Sequence, residues 1–168
     1  LKIHLVDSKQ VAMGLGWQVI MAAEAAADGK GAGEILSLVQ DVQPRIRVLA
    51  SLDTLEYLRR SGRVSWARAA TAHLLRVKPL IEVREGEVTL LGKVRTRSKA
   101  IEQVLQLTAD MGPLEKLAAI HSSAPEIESF RARLGTLFPV EEILVSEVGP
   151  IVGTHVGPAA LGVAAVVA

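Results

Sequence analysis

Cysteine is absent from the 168 residues, which excludes disulfides, thiolate metal sites and a cysteine nucleophile. That absence suits a reducing cytoplasm, the expected compartment. Aromatic residues make up only 3% of the chain, so no stacking platform accompanies the basic residues, and no nucleic-acid partner is expected. Neither sign of charge dominates. With 19 Lys and Arg against 18 Asp and Glu, there is no overall field to steer the chain toward nucleic acid or acidic membranes, and any anion site has to be local. No stretch approaches the roughly 20 uninterrupted apolar residues of a membrane span, and Leu1-Lys2-Ile3-His4 lacks the basic-then-apolar layout of a signal peptide.

The fingerprints of common enzyme sites are lacking too. Gly14-Leu15-Gly16 continues as Trp17-Gln18-Val19 without a third glycine, and neither a Walker lysine loop nor a Gly-x-Ser-x-Gly elbow occurs. His121-Ser122-Ser123 and Asp7-Ser8 therefore do not add up to a hydrolase, and none of the four histidines has a second at metal-ligand spacing. The expectation is a chain that is not an enzyme and carries no metal or cofactor.

What is present is aliphatic: 49% of the residues are apolar, enough for one sizeable core or for one domain plus part of another. Ile3, Leu5 and Val6 form a short apolar run ending at Asp7-Ser8, which predicts a buried strand. Helices are predicted over 14–27 and 34–42, and a strand over 48–50. The chain lacks a starting Met, and with a strand expected so early it is expected to begin inside a domain. From Thr54 the texture changes, so a boundary is predicted there, with 1–53 the remnant of one α/β domain and 54–168 a second. The second begins with an amphipathic helix carrying Leu55, Tyr57 and Leu58 and stopped by Ser61-Gly62, followed by a helix over 67–75. Lys78-Pro79 leads into a strand over 80–84, and Glu85-Gly86-Glu87 predicts a hairpin to a partner strand over 88–94. A helix over 98–111, a strand over 117–121, a helix over 125–137 and a strand over 142–148 follow. A glycine-rich turn around 153–158 and a small-residue apolar tail over 161–168 close the chain. This alternation predicts an α/β fold with a mixed sheet.

Three segments can carry recognition chemistry. His155 stands among small residues that let backbone approach a ligand closely, and an imidazole there can donate to a carboxylate or phosphate. The plain alternative is a solvated turn histidine. Arg63 follows a helix-stopping glycine, where its fork suits carboxylate or phosphate or simply faces water. Lys93-Val94-Arg95-Thr96-Arg97-Ser98-Lys99 is a basic run where a strand passes into a helix, a place that can receive a phosphate or be merely solvated.

Taken in order, these segments resemble the DegV family. Its Leu-x-x-Leu element ending in Gly-Arg is similar to Leu55-Glu56-Tyr57-Leu58 through Gly62-Arg63. Its lysine-proline strand and hairpin are similar to Val77-Lys78-Pro79-Leu80-Ile81 through Gly86 and Lys93-Val94-Arg95. Its closing signature is similar to Gly153-Thr154-His155-Val156-Gly157-Pro158, and Val6-Asp7-Ser8 with the following helix resembles the end of its first domain.

The resemblance implies a mixed-sheet, two-layer α/β C-terminal domain with part of an N-terminal α/β/α domain. It also implies a carrier that holds one long-chain fatty acid in a tunnel, its carboxyl gripped near the domain interface, and presents it to a separate fatty-acid kinase. By carry-over His155 contacts the carboxyl, and Arg63 and Arg95 serve the head group or kinase docking. Transient membrane contact and a homodimer are further partners the resemblance admits. Two alternatives stand beside it: a subunit related to the substrate-binding part of dihydroxyacetone kinases, and a structural remnant without ligand. The chain departs from the family at Ser61, where a glycine is usual, at Ala159, where another is usual, and in lacking about the first hundred residues of a family member.

Overall fold

The computed structural model describes residues 2–68 and 77–168. The chain begins with helices α1 (Ala12–Ala27) and α2 (Ala32–Val42), followed by strand β1 (Ile46–Ser51). Short helices α3 (Glu56–Ser61) and α4 (Ser65–Arg68) lead to the hairpin of β2 (Lys78–Arg84) and β3 (Glu87–Val94). Then come α5 (Arg97–Ala109), β4 (Leu114–His121), α6 (Ile127–Leu134), β5 (Leu144–Glu147), α7 (Pro150–Val156) and β6 (Leu161–Val167). Of the helix expected over 67–75, residues 69–75 lie outside the described residues.

The strands form one sheet in the order β3-β2-β1-β6-β4-β5. Every described pairing is antiparallel except β4 with β5, so the sheet is mixed, as the α/β alternation predicts. The predicted hairpin turns at Glu85 and Gly86, both with positive φ (51° and 86°), as the mirror-image turn that matches strand twist requires.

Side chains alternate between the two faces. Leu49, Leu80, Leu117, Ala119, Val163 and Ala165 meet α5 and α6 through Val104, Phe130 and Leu134. On the opposite face Ile46, Val48, Val83, Ile120, Ala164 and Val166 meet Trp17 and Met21 of α1 and Val42 of α2, while Ile81 meets Leu55, Leu58 and Ala67 from α3 and α4. The sheet with α5 and α6 supplies two layers, and α1 and α2 add a third on the other face.

The boundary expected at 53/54 does not separate two sheets. Strand β1, upstream of it, lies between β2 and β6, pairing Ser51 with both Leu80 and Leu161. The predicted strand at Ile3, Leu5 and Val6 is corrected. Residues 2–11 form no strand, and Ile3 and Leu5 are 77% and 97% exposed. A strand needs a ladder of bonds to a neighbouring backbone, and among the described residues there is a single one, from the Gly86 amide to the Lys9 carbonyl (2.8 Å), beside two from side-chain amides. Gln43 Nε2 donates to the Asp7 carbonyl (2.8 Å) and Gln18 Nε2 to that of Ser8 (2.9 Å).

The apolar tail is β6, central in the sheet, with six of its seven residues buried. A continuous apolar run covered on both faces is the pattern of an interior strand. Gly162 is the tightest point, because a Cβ there would lie 2.0 Å from the Leu49 carbonyl oxygen and 2.7 Å from Ala50 Cα. Both are backbone atoms of the paired strand and cannot swing aside. Gly162→Ala is therefore expected to destabilise the protein by about 2–3 kcal/mol or more. Gly33→Ala on α2, where a Cβ meets nothing within 4 Å, is expected to be neutral or stabilising by up to about 1 kcal/mol. Chemical denaturation of the two variants checks the contrast.

Candidate functional site

The register brings Ser51, Lys78, Val94, His121, Glu147 and Leu161 to one end of the sheet. The segments that begin or end there include the start of α3, Arg95-Thr96, Ser122-Ser123 and the whole of α7. The glycine-rich turn expected around His155 is corrected at this point. Residues Pro150–Val156 are helical, with proline in the first turn and Gly157 (φ 75°) at the stop. Proline suits that opening position because its missing N–H would be unpaired there anyway.

Helix α7 helps wall an aliphatic crevice on the α1 side of the sheet. Val48, Val83 and Ile120 form the floor, Val11 stands at the start of α1, and Val152 and Val156 come from α7. The crevice measures about 40 Å³. His155 is half-buried and lies three residues after Val152 and one before Val156, on the same helix face. Its Nδ1 is buried with no hydrogen-bond partner among the described residues. Buried polar atoms are nearly always satisfied, so this nitrogen marks a place where a partner is due. His121 also borders the crevice, but its Nδ1 is engaged by the Ala124 amide (3.4 Å), and Ala124 belongs to the core of the opposite face.

The turn from α7 into β6 is held from two directions. Ser122 donates its hydroxyl to the Gly157 carbonyl, its amide donates to the Ala160 carbonyl (2.9 Å), and its own carbonyl accepts from the Ala159 amide (2.6 Å). Arg97 Nη1 donates to the Ala159 carbonyl (2.6 Å), while Nε and Nη2 grip the Glu126 carboxylate (3.1 and 3.0 Å). The Arg97 hydrogen bonds hold the Glu126 carboxyl below its ordinary pKa. Nearby, the Ser123 hydroxyl and amide do the same for Glu147. In the sequence Arg97 is one cation of a basic run and Ser122 a neighbour of His121, with no role of its own legible, because the partners of both are distant in the chain.

The two internal departures from the family pattern differ in consequence. Ser61 is helical and bonds the Leu58 carbonyl (2.8 Å), and the left-handed cap falls on Gly62 (φ 65°), so no glycine is required at 61. Ala159 has φ 59°, a region that costs an L-residue roughly 1–2 kcal/mol.

Arg63 is exposed between α3 and α4, and Arg95 is exposed just beyond β3. Among the described residues neither guanidinium has an ion-pair partner. Arg95 lies at the same end of the sheet as α7. Arg63 is linked to α7 through α3, where the Tyr57 ring sits so close to Gly157 that a Cβ there would be 2.3 Å away. His155, Arg63 and Arg95 make no described contact with one another. Among the described residues no group of three His, Asp or Glu side chains could hold a metal ion, and no helix is long and apolar enough to cross a membrane.

A larger groove of about 410 Å³ lies on the outer side of α1 and α2, lined by Val6, Leu15, Val19 and Ile35 among others. Ile3 and Leu5 are exposed nearby.

Residues 1–168 match the family described as uncharacterised protein, DegV family, and the chain belongs to that family. A DegV domain-containing protein of Streptomyces coelicolor is 38% identical over 165 residues, covering 96% of this chain and 59% of its own length. The crystal structure of a fatty acid binding DegV family protein from Streptococcus agalactiae superposes with a TM-score of 0.86 at 25% identity, over 98% of this chain and 60% of that one. A structure describing fatty acid binding of a DegV family protein from Thermus thermophilus gives 0.85 at 30% identity, over 98% and 61%. This chain thus spans about 60% of the length of these relatives.

The strained turn generates a stability test. Ala159→Gly is expected to stabilise the protein by about 1 kcal/mol, the relief at the left-handed position being partly offset by the greater freedom of glycine in the unfolded chain. Thermal or urea unfolding of the variant beside the parent measures it.

Proposed function

We propose that this chain is the histidine-bearing part of a fatty-acid carrier, in which the aliphatic crevice receives acyl chain and His155 contacts the carboxyl group. The observation that carries this reading is the buried, unpartnered Nδ1 of His155 on the helix that walls the crevice. An apolar channel with a few fixed polar groups at one end is what a fatty acid requires, and fatty acid binding by the Streptococcus and Thermus relatives supports it. A crevice of about 40 Å³ is far below the roughly 300–1,000 Å³ of a ligand pocket. Binding therefore requires the walls to part or further surface from outside this chain.

The finer reading is that the carrier presents the carboxyl to a separate fatty-acid kinase and performs no chemistry itself. Arg63 and Arg95, exposed and unpaired among the described residues, then serve the head group or the docking of that kinase.

In the full-length protein, His155→Ala removes one donor to a charged group. Such a bond is worth roughly 1.5–3 kcal/mol, so affinity for a long-chain fatty acid is expected to fall about tenfold to a hundredfold. Affinity for the fatty alcohol of equal length should change much less. Fluorescent-ligand titration decides: equal acid binding by both proteins, or equal loss for acid and alcohol, removes His155 from the site.

Arg95→Ala is expected to leave the melting temperature nearly unchanged, since exposed charges contribute about 0–1 kcal/mol, while slowing acyl-phosphate formation by the cognate kinase. A large loss of stability, or an unchanged rate, would return Arg95 to an ordinary surface role.

A further inference from the structure

Helix α7 is seated in an unusual way. It has seven residues and none of them is fully buried; Val156 packs against the cluster of Leu55, Leu58 and Ile81 but stays half-buried, so burial fixes this helix only loosely. Its ends add to that hold. At the N-terminal end the Val148 amide donates to the His121 carbonyl (2.8 Å). At the C-terminal end lies the turn at Ala159, which is held in a conformation its side chain disfavours.

Such a turn persists only where its surroundings over-determine it. Ala159 is gripped on both sides of its backbone: its amide by the Ser122 carbonyl (2.6 Å) and its carbonyl by Arg97 Nη1 (2.6 Å). Arg97 is in turn aimed by Glu126, which takes the other edge of the guanidinium through both oxygens. A planar fork engaged on two edges has little freedom left. With its side chain 21% exposed, it is largely enclosed against the turn it holds.

We propose that Arg97, oriented by Glu126, is a positioning residue for His155: it pins the turn that ends α7 and thereby sets where the imidazole stands against a bound carboxyl group. The role of the imidazole as carboxyl ligand rests on the reading above, whereas the placement of His155 by Arg97 can be measured without any lipid. Among the described residues the Arg97 guanidinium hydrogen-bonds only Glu126 and the Ala159 carbonyl, and it acts through the turn.

The test uses the full-length protein, the variants Arg97→Met, Glu126→Gln, His155→Ala and Arg97→Met/His155→Ala, and one control variant. The first readout is the imidazole Cε1–H NMR resonance of His155 without ligand, assigned by its loss in His155→Ala. It is expected to shift or broaden in Arg97→Met, and less so in Glu126→Gln, which keeps the guanidinium but loosens its aim. Arg133→Met serves as the control, because it removes a comparable ion pair, with Glu102 on α5, away from the turn; there the resonance should stay in place. A His155 resonance unmoved in both Arg97→Met and Glu126→Gln overturns the proposal. Glu126→Gln keeps the test open should Arg97→Met not fold.

The second readout is binding. Arg97→Met is expected to weaken a long-chain fatty acid about tenfold and the matching alcohol less than about threefold, with no further loss when His155 is already Ala. Losses that add in the double variant, or that fall equally on acid and alcohol, mean that Arg97 merely stabilises the fold, and overturn the proposal. A wild type that binds neither acid nor alcohol defeats the carrier reading instead, and leaves the NMR result to decide whether Arg97 places His155.

Discussion

The structure depends on the seam between β1 and β6. Six residue pairs run from Ile46–Val166 to Ser51–Leu161, and at Gly162 the two backbones approach so closely that a single added carbon has no room. Strand β6 comes last in the chain yet sits third from one edge of the sheet, and it presents aliphatic side chains to both helical layers. Each fully buried valine is worth roughly 1.5–3 kcal/mol, so this strand concentrates much of the apolar stabilisation of both cores. Trp17 adds to the join by donating its indole N–H to the Ala164 carbonyl (3.0 Å), which fixes α1 over β6.

That seam also builds the candidate site. With β6 central, the turn before it has to enter the middle of the sheet at the end where β1, β4 and β5 finish. The α7 turn is consequently surrounded by strand ends and by the first turn of α5. Ser122 and Arg97 reach it from those two sides, while Tyr57 covers Gly157 from α3. The chemistry at this end is contributed by segments far apart in sequence and assembled by the strand order.

This explains what the sequence could disclose. Helices over 14–27 and 34–42, the 85–87 hairpin and most strands were legible because their signals are local: helical spacing, glycine stops and a turn dipeptide. Ile3, Leu5 and Val6 misled because an apolar run says nothing about whether a neighbouring strand exists, and here none pairs with it. The helical state of 150–156 was hidden by Gly153 inside it and by the flanking Gly149 and Gly157, though Pro150 followed by Gly157 is the order that opens and closes a helix. His155 was visible through its motif. Arg97 looked like one more cation in a basic run, since its partners Glu126 and Ala159 lie 29 and 62 residues away. Only the fold separates it from the exposed Arg95 two residues earlier.

The weak seating of α7 is the last step that joins structure to recognition. A helix held down by buried side chains presents its inward face to the core, and nothing remains there for a ligand to meet. On α7 the residues Val152, His155 and Val156 are only half-buried, and one imidazole nitrogen is hidden from water without a hydrogen-bond partner among the described residues. Packing of Val156 on the Leu55 and Leu58 cluster together with hydrogen bonds at both ends gives the helix a defined position while that face stays partly uncovered. The cost is placed in the turn, at a left-handed alanine, and the hydrogen bonds from Ser122 and Arg97 offset it. On the proposed reading, a contact surface left incomplete in this way gains packing and a hydrogen bond from the ligand, and that free energy contributes to binding.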